Sequence, residues 1–504
     1  MSEVEVTVKK NKNEWGSNLS FILAMIGSAV GLGNIWRYPN VLFANGGGAF
    51  YIPYIVAVLI MGIPFLILEY GVGYNYKSSF AKAVKTISSK FEFLGWFLPV
   101  AVYMIMIYYS AILGWDGIYI VLSFYKGWGN DTAVFNDEKL LQTTDKVSGL
   151  IHFLPIIAIA ILVGWAIIWF ISHRDLEKGL GRVSKLLVPL LFIIMIFIVI
   201  YSLTLDGASI GLTELFRPKW NSLLKPKIWM EAFGQIIFSL SLGMSIAFTY
   251  ASYTKKNTDL ISNAISIAVA NCTFENIAAL AVFSILGFMA KQQGIVKFND
   301  VVKSGISLVF IAYPTFFNIL GKFAYVIGPL FFITVYLAGL TSILSTVEPL
   351  SFSIQNKFGW SRRTTMSVLC GVGAIISMLY ATKFGLNLLG VVDNFINAIA
   401  ILIGVVLECI VFAWIFDVKK LIVFLNEKSK ILKVGTWWLF IVRIALPVLV
   451  IVIWVLGLIS TFEGYTTVQI IFTLLSAAVL IIATLVFTFL PPKSKDWDQA
   501  EDRI

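Results

Sequence analysis

The chain has 504 residues, of which 59% are hydrophobic and 13% are charged, and its mean hydropathy is +0.87. Soluble globular proteins carry about 25% charged residues, so the polar residues here are too few to cover a soluble protein of this length. One membrane-spanning helix takes about 20 apolar residues. The composition therefore excludes a soluble enzyme or binding domain and predicts a polytopic membrane protein surrounded by lipid.

The net charge of +10 does not indicate nucleic acid as a partner, because Lys and Arg are dispersed in short loops between apolar runs. The cysteines Cys272, Cys370 and Cys409 lie in or beside apolar runs, a placement that implies no disulfide framework. The first fourteen residues are polar and have no cleavable signal pattern, so we expect the first apolar run to remain as a span.

Hydropathy predicts twelve spans. They are helices, because backbone groups in lipid need internal partners and no alternating ten-residue strand pattern is present. With a cytoplasmic N-terminus, the inner loops and tails hold 24 Lys and Arg and the outer loops hold 12, which predicts cytoplasmic termini in a multi-pass protein of the cell membrane. The spans lie near 17–44, 50–75, 92–125, 149–171, 183–205, 228–254, 258–290, 320–355, 364–381, 385–416, 436–460 and 467–491.

Two of these spans contain polar breaks. The first includes the run Gly27-Ser-Ala-Val-Gly-Leu-Gly-Asn34, and the sixth includes Phe238-Ser-Leu-Ser-Leu-Gly243. Gly27 and Gly31 alone would favour a GxxxG packing face, but a third glycine, the Asn34 amide and a second break five spans later favour unwound helices. Broken helices in corresponding positions of two halves indicate an inverted-repeat transporter whose site lies near the membrane midplane.

The breaks divide the predicted chain into five segments. Residues 1–16 form a cytoplasmic segment, 17–205 hold helices 1–5 of the first repeat, and 228–416 hold helices 6–10 of the second. Two further helices occupy 436–491, and 492–504 form a cytoplasmic tail. The fold class is therefore all-α, with twelve transmembrane helices in a five-plus-five inverted repeat.

The residues of the broken spans closely resemble one family, the neurotransmitter:sodium symporters, and within it the prokaryotic sodium-dependent amino acid transporters. The match runs from about residue 12 to the tenth span and fixes residues in six segments. Its motifs are Trp15-Gly-Ser-Asn18, Gly27 to Pro39, Asn45-Gly-Gly-Gly-Ala-Phe-Tyr-Ile-Pro-Tyr54, Gly62-Ile-Pro64 with Glu69, Tyr108-Tyr109, Phe238 to Met244 and Ala338-Gly-Leu-Thr-Ser342.

The resemblance implies two sodium sites made of oxygen ligands, which suit an alkali cation. Any one Ser or Thr in a span more often bonds its own helix, but a set drawn from several helices is better explained as ligands. The implied ligands of the first sodium are the Ala29 carbonyl, Asn34, Ser239 and Asn271, with the substrate carboxylate. Those of the second are the carbonyls of Gly27, Val30 and Ala338 and the hydroxyls of Thr341 and Ser342.

The resemblance also implies an amino acid site. Gly31 leaves room for a free carboxylate, whereas the monoamine branch of the family has an Asp at this position. Ser28 and Met244 replace the Asn and Phe of the leucine-type pattern, which favours a roomier pocket and large hydrophobic or aromatic L-amino acids, although Thr346 adds polarity. The implied substrate residues are Ser28, Ala29, Gly31, Leu32, Gly33, Ile105, Tyr109, Phe238, Ser239, Ser241, Met244, Ser342 and Thr346.

The same resemblance implies two gates. Arg37 and Asp393 would form an outer ion pair above an aromatic lid of Tyr109 and Phe238. Lys12, Trp15 and Tyr253 would form the inner gate, but Asn356 replaces its usual acid. Either Lys12 bonds a neutral acceptor or another acid, such as Glu348, takes that place.

Glu275 lies one helical turn after Asn271, on the same helix face. In chloride-dependent relatives this position is usually Ser, and a chloride ion near Tyr54, Gln235 and Ser239 supplies the negative charge. A fixed carboxylate can supply that charge itself, so we expect no chloride requirement; a buried, hydrogen-bonded structural Glu is the alternative.

Other functions are less consistent with the sequence. His152 and His173 lie near span ends without metal-ligand spacing, and no nucleophile elbow or P-loop is present, so no enzyme is expected. No repeated pore-lining ring or filter indicates a channel. A transporter of small amino acids or osmolytes and a non-transporting amino acid sensor remain alternatives, and the sequence leaves monomer and homodimer equally open.

Overall fold

The computed structural model describes residues 14–294, 298, 305–430 and 432–499. Over these ranges it is helical, and its only β-type pairing is one isolated bridge between Phe153 and Thr382. Ten of the described helices are long and apolar enough to cross a membrane. They are Gly47–Tyr76, Ser89–Ser123, Pro155–Ser172, Glu177–Leu203, Leu260–Gln292, Gly321–Phe358, Arg362–Tyr380, Gly385–Ile415, Thr436–Glu463 and Thr467–Phe489.

The first predicted span is a bent pair, Asn18–Ala29 and Leu32–Ala44, whose axes differ by 54°. Val30 and Gly31 between them have extended backbone, so carbonyl oxygens at the end of the first helix lose their helical partners. The pair brings the number of spans to eleven among the described residues. The polar break predicted in the first span is confirmed.

The sixth predicted span is divided into Pro226–Ser239 and Ile246–Ser252, and each half is too short to cross a membrane alone. Residues 240–245 between them are not helical, and Ser241, Gly243 and Ser245 have positive φ. Gly243 is required here because a Cβ would lie 2.2 Å from Val405 Cγ2. The break lies where the sequence predicts it, while the count of twelve spans stays a prediction.

Burial separates central from peripheral spans. The third span, Ser89–Ser123, is 83% buried over its most apolar window, whereas each of the last two spans is 22% buried. The third span packs against the eighth, Gly321–Phe358, and these two helices carry Tyr109 and Ser342 towards the break in the first span.

Both described ends of the chain lie at the same end of the bundle. Trp15 N–H donates to the Tyr253 carbonyl at 3.0 Å, and Lys77 bonds the carbonyl of neighbouring Thr254. Lys85, from the same connection as Lys77, pairs with Asp498. This end is called the inner end below, and the opposite end the outer end.

Candidate substrate and sodium sites

A cavity of about 690 Å³ lies beside the two helix breaks. It also reaches Arg37, Glu231 and Asp393 towards the outer end. All thirteen substrate residues predicted from the sequence line it: Ser28, Ala29, Gly31, Leu32, Gly33, Ile105, Tyr109, Phe238, Ser239, Ser241, Met244, Ser342 and Thr346. The structure therefore brings together residues from four spans that are far apart in sequence.

The side chains predicted for the first sodium form a buried chain of hydrogen bonds. Asn34 Nδ2 donates to Asn271 Oδ1 at 2.8 Å, and Asn271 Nδ2 donates to Ser239 Oγ at 3.1 Å. Asn34 Oδ1 accepts from the Gly31 N–H at 2.9 Å, which caps the second half of the broken first span. Ala29 ends the first half of that span, so the four predicted contributors converge on one break.

The second oxygen cluster surrounds the Ser342 hydroxyl. Ser342 Oγ lies 3.3 Å from the Gly27 carbonyl oxygen and 3.4 Å from those of Ser28 and Val30. One hydroxyl proton can serve only one of these three acceptors. The other carbonyl oxygens face the cluster without that donor, an arrangement that suits a bound cation.

Two further contributors to this cluster come from the same helix as Ser342. Thr341 Oγ1 lies 3.1 Å from the Ala338 carbonyl oxygen and 3.0 Å from that of Leu337, so its single proton can serve either acceptor. A Cβ on Gly27 would lie 3.1 Å from Thr341 Cβ, so the glycine lets the two helices approach. All five ligands predicted for the second sodium are therefore neighbours.

The N-terminus of the helix Leu32–Ala44 faces the cavity with its amides. Leu32 N–H donates to the Tyr109 hydroxyl at 3.3 Å. A Cβ on Gly31 would lie 2.8 Å from Ser342 Oγ and 3.5 Å from Tyr109 Oη, so the free space at this point depends on glycine. Helix N-termini attract anions, and the arrangement can receive a carboxylate.

Glu275 is fully buried and lies beside the first oxygen cluster. Gln235 Nε2 donates to Glu275 Oε1 at 2.6 Å, and the Tyr54 hydroxyl donates to Oε2. Two of the three side chains expected around an anion thus bind this carboxylate directly, and Ser239, the third, is within hydrogen-bonding reach. The carboxylate occupies the position where the sequence predicts a fixed negative charge.

The outer ion pair expected between Arg37 and Asp393 does not form in this structure. Arg37 Nη1 donates to Gln235 Oε1, and Nη2 lies 4.0 Å from Glu231 Oε2. Asp393 instead accepts from the Tyr108 hydroxyl at 2.6 Å and from Asn397 at 2.9 Å. Arg37 and Asp393 both line the cavity and are not bonded to each other in this conformation, so the outer ion pair stays a prediction for the state in which the outer end is closed.

The two predicted lid residues pack against the broken first span. A Cβ on Gly33 would lie 2.5 Å from Phe238 Cε1, so Phe238 covers that glycine. Tyr109 Oη is bonded to Leu32 on the same segment. Both rings line the cavity between its central and outer parts.

The inner end is closed by aromatic packing. Trp15 is 1% exposed, and its Nε1 donates to the Tyr250 carbonyl at 2.8 Å. Its ring meets Tyr250 edge-on at 5.2 Å and Tyr253 at 6.2 Å between centroids. Trp15 and Tyr253 therefore lie together as predicted, whereas Lys12 is outside the described residues.

Asn356 and Glu348, the two residues predicted as possible partners of Lys12, both have other contacts in the structure. Asn356 Oδ1 accepts from the Ser79 N–H at 2.9 Å, just before the short helix Phe80–Ile87. Glu348 is buried and forms a two-point ion pair with Arg362, one bond of which measures 2.9 Å. The Glu348 carboxylate is therefore already paired with an arginine, and because Lys12 lies outside the described residues, the identity of its partner stays a prediction.

Glu231 was missed by the sequence reading, although its position carries a signal. Residues four positions apart lie on one helix face. Glu231 lies four residues before Gln235, which the sequence already places near the anion position. Arg362 was missed as well, because sequence spacing does not reveal that Glu348 lies next to it.

Comparisons with known proteins agree with this geometry. A family model described as the sodium:neurotransmitter symporter family matches residues 12–151 and 146–492. The chain is 34% identical over 479 residues to a sodium-dependent transporter of Methanocaldococcus jannaschii, with 94% of this chain and 97% of the relative covered. It is 26% identical to sodium-dependent nutrient amino acid transporter 1 of Drosophila grimshawi, with 90% and 77% covered.

The fold also matches that of a solved transporter. A crystal structure of MhsT in complex with L-phenylalanine superimposes with a TM-score of 0.72 at 26% identity, covering 88% of this chain and 99% of that chain. The family model, the relative from Methanocaldococcus jannaschii and the solved structure all describe secondary transporters and not enzymes. The chain is an integral membrane protein that belongs to the sodium:neurotransmitter symporter family.

Proposed function

We propose that this protein couples the inward movement of sodium to the uptake of amino acids by alternating access. The observation that carries the proposal is the cavity at the two helix breaks, with both oxygen clusters and a helix N-terminus beside it. Separated charges are costly inside a membrane. A zwitterion and sodium ions can be held there because carbonyl oxygens and amide groups of unwound helices partner each charge.

Two sodium ions are transported with each substrate in this proposal. One binds at Asn34, Ser239 and Asn271 with the Ala29 carbonyl and the substrate carboxylate as further ligands. The other binds at Thr341, Ser342 and the carbonyls of Gly27, Val30 and Ala338. Because the first sodium shares a ligand with the substrate, each should increase the affinity of the other by the same factor.

The preferred substrates are large hydrophobic or aromatic L-amino acids. Ser28 is small and Met244 is flexible, so the side-chain end of the cavity accommodates bulk. The phenylalanine complex of MhsT supports this preference. Small amino acids or osmolytes are the second candidate, because Thr346 and five serines add polarity to the lining.

Transport is proposed to need no chloride. Glu275 takes bonds from Tyr54 and Gln235, so its carboxylate already occupies the place of an anion. Because the Glu275 carboxylate supplies a negative charge beside the proposed ligands of the first sodium, no chloride ion is needed there.

The domain organisation follows from the breaks. Residues 17–205 and 228–416 are the two repeats, and 436–491 are appended helices, a role supported by their low burial. Both termini are cytoplasmic in the cell membrane, in line with the excess of Lys and Arg at the end where they lie. The cavity then opens towards the outside.

The proposal is tested first by binding of radiolabelled L-amino acids to purified protein, with and without sodium, in a scintillation proximity assay. Sodium-dependent binding led by Trp, Tyr, Phe or Leu is expected. Sodium-dependent binding of Gly or Ala alone would support sodium coupling but overturn the proposed substrate class. Binding that does not depend on sodium would overturn the proposal itself.

Uptake into sealed vesicles separates a transporter from a sensor. An inward sodium gradient should accumulate the preferred amino acid, and collapse of the gradient should release it. Binding without any accumulation would identify a sensor instead.

A further inference from the structure

Arg37 lies along one face of the outer half of the sixth span. Glu231, Gln235 and Phe238 follow one another at helical spacing on the helix Pro226–Ser239. Arg37 contacts all three: its guanidinium lies 4.0 Å from Glu231 Oε2, donates to Gln235 and lies 5.5 Å from the Phe238 ring centroid. The arginine therefore has an anionic partner, a neutral acceptor and an aromatic face on a single helix.

Asp393 of the tenth span is bonded within its own span and to the third span, and not to the first or the sixth. The Tyr108 hydroxyl of the third span donates to its Oδ1 at 2.6 Å, and Asn397 of the tenth span donates to the same oxygen at 2.9 Å. Asp393 lines the same cavity as Arg37 and Glu231, so the carboxylates of Asp393 and Glu231 border one space that contains one guanidinium.

We infer that Glu231 competes with Asp393 for Arg37 and thereby sets the equilibrium between the open and the closed outer end. The inference rests on the proposed alternating access, in which the first and sixth spans move against the third and tenth. Arg37 and Glu231 then belong to the moving body, and Asp393 with Tyr108 belongs to the stationary one. Closure requires the guanidinium to leave Glu231 and to reach Asp393, so Glu231 is a positioning residue that favours the open state.

The exposure of the Arg37 and Glu231 side chains sets how far their attraction can shift the equilibrium between the open and the closed outer end. The side chains of Arg37 and Glu231 are each 35% exposed, so their attraction is partly screened by water. Ion pairs of this kind change an equilibrium by about fivefold at most. Replacing Glu231 by Gln keeps the shape and a hydrogen-bond acceptor but removes the competing charge, so the closed state should gain by about three- to fivefold.

The experiment measures access to the cavity with a single cysteine at position 390. Gly390 lines the cavity, and a Cβ there would meet no atom within 4 Å, so Gly390→Cys is expected to be tolerated. It is placed in a background with Cys272, Cys370 and Cys409 replaced, in membrane vesicles with sodium and without amino acid. A neutral thiol reagent is used, because a charged one would respond to the altered potential itself.

Glu231→Gln should slow labelling of the cysteine by up to about fivefold, because the labelling rate follows the fraction of molecules in the open state and falls by the full factor only where the closed state predominates. Glu231→Asp, which keeps the charge, should restore most of the rate. Glu231→Gln combined with Asp393→Asn should label at the rate of the parent or faster, because neither carboxylate then attracts Arg37. Glu214→Gln is the matched control, since Glu214 pairs with Arg217 at 2.8 Å outside the cavity. Melting temperatures of all variants identify any that fail to fold.

Labelling of Glu231→Gln at the parental rate or faster would overturn the inference. Slow labelling that persists in the double variant would overturn it as well, because Asp393 would then not be the competitor. The proposed function is tested separately, in the Gly390→Cys parent. Sodium plus amino acid should slow the labelling of its cysteine. Absence of that protection would count against the transporter whatever Glu231 does.

Discussion

Gly31 gives the sharpest test of the substrate site, because a single added methyl group fills a space that the structure defines. The backbone at Gly31 has φ −128° and ψ −165°, an extended conformation that alanine adopts without strain. The added Cβ would lie 2.8 Å from Ser342 Oγ and 3.5 Å from Tyr109 Oη. The effect of Gly31→Ala is therefore steric and local to the cavity.

The expected loss of binding affinity follows from the displacement of the Ser342 side chain. To avoid the methyl group, Ser342 Oγ must leave the carbonyl oxygens of Gly27, Ser28 and Val30, which lie 3.3–3.4 Å away. The lost hydrogen bond costs about 1 kcal/mol, and overpacking of a tight site adds about 1–3 kcal/mol. A total of about 2–4 kcal/mol corresponds to about 30- to 1000-fold weaker binding of sodium and amino acid together.

The assay is equilibrium binding of the preferred amino acid at several sodium concentrations. Gly234→Ala is the matched control, since Gly234 lines the same cavity but a Cβ there meets no atom within 4 Å. Gly31→Ala should lose affinity while remaining folded, and Gly234→Ala should keep both its affinity and its melting temperature. Unchanged affinity in Gly31→Ala would refute the placement of the substrate carboxylate and of the Ser342 sodium cluster beside this glycine.

Three other predictions follow. Glu275→Ser should make uptake depend on chloride, because the fixed charge bound by Tyr54 is lost; chloride-insensitive uptake in an active variant would contradict the proposed role. Trp15→Ala should open the inner end, since the buried ring closes it, and labelling of the cavity from the cytoplasmic side should then rise; no rise would contradict it. Lys357→Met should lower the free energy of unfolding by about 3–5 kcal/mol, because it leaves Glu92, its partner at 2.8 Å with a side chain only 14% exposed, without a cation, whereas the exposed Lys178→Met should cost less than about 1 kcal/mol; equal melting temperatures would contradict this difference.

The structure is closed at Trp15 and open between Arg37 and Asp393. The same conformation explains why the inner-gate aromatics were found together and the outer ion pair was not. A gate residue has one set of partners in each conformation of a transport cycle, so any one conformation displays only part of the contacts implied by a family resemblance.

The sequence alone determined the membrane class, the helical architecture and the positions of both breaks. These properties depend on local composition, since about 20 apolar residues define a span and clustered glycines with an amide weaken a helix where no water can replace its bonds. Family motifs then pointed to residues that the fold brings together in the two oxygen clusters, among them Asn34 and Ser342.

Only the tertiary structure decided which charged groups are partners. Arg37 pairs with Glu231 and not with Asp393, and Glu348 pairs with Arg362. Each of these pairs joins residues from different helices, and the distance between two charges depends on how the helices tilt and on which end of the cavity is open. Sequence spacing reports neighbours along one helix face, whereas the energy of an ion pair depends on distance and burial across helices, and these exist only in the folded protein.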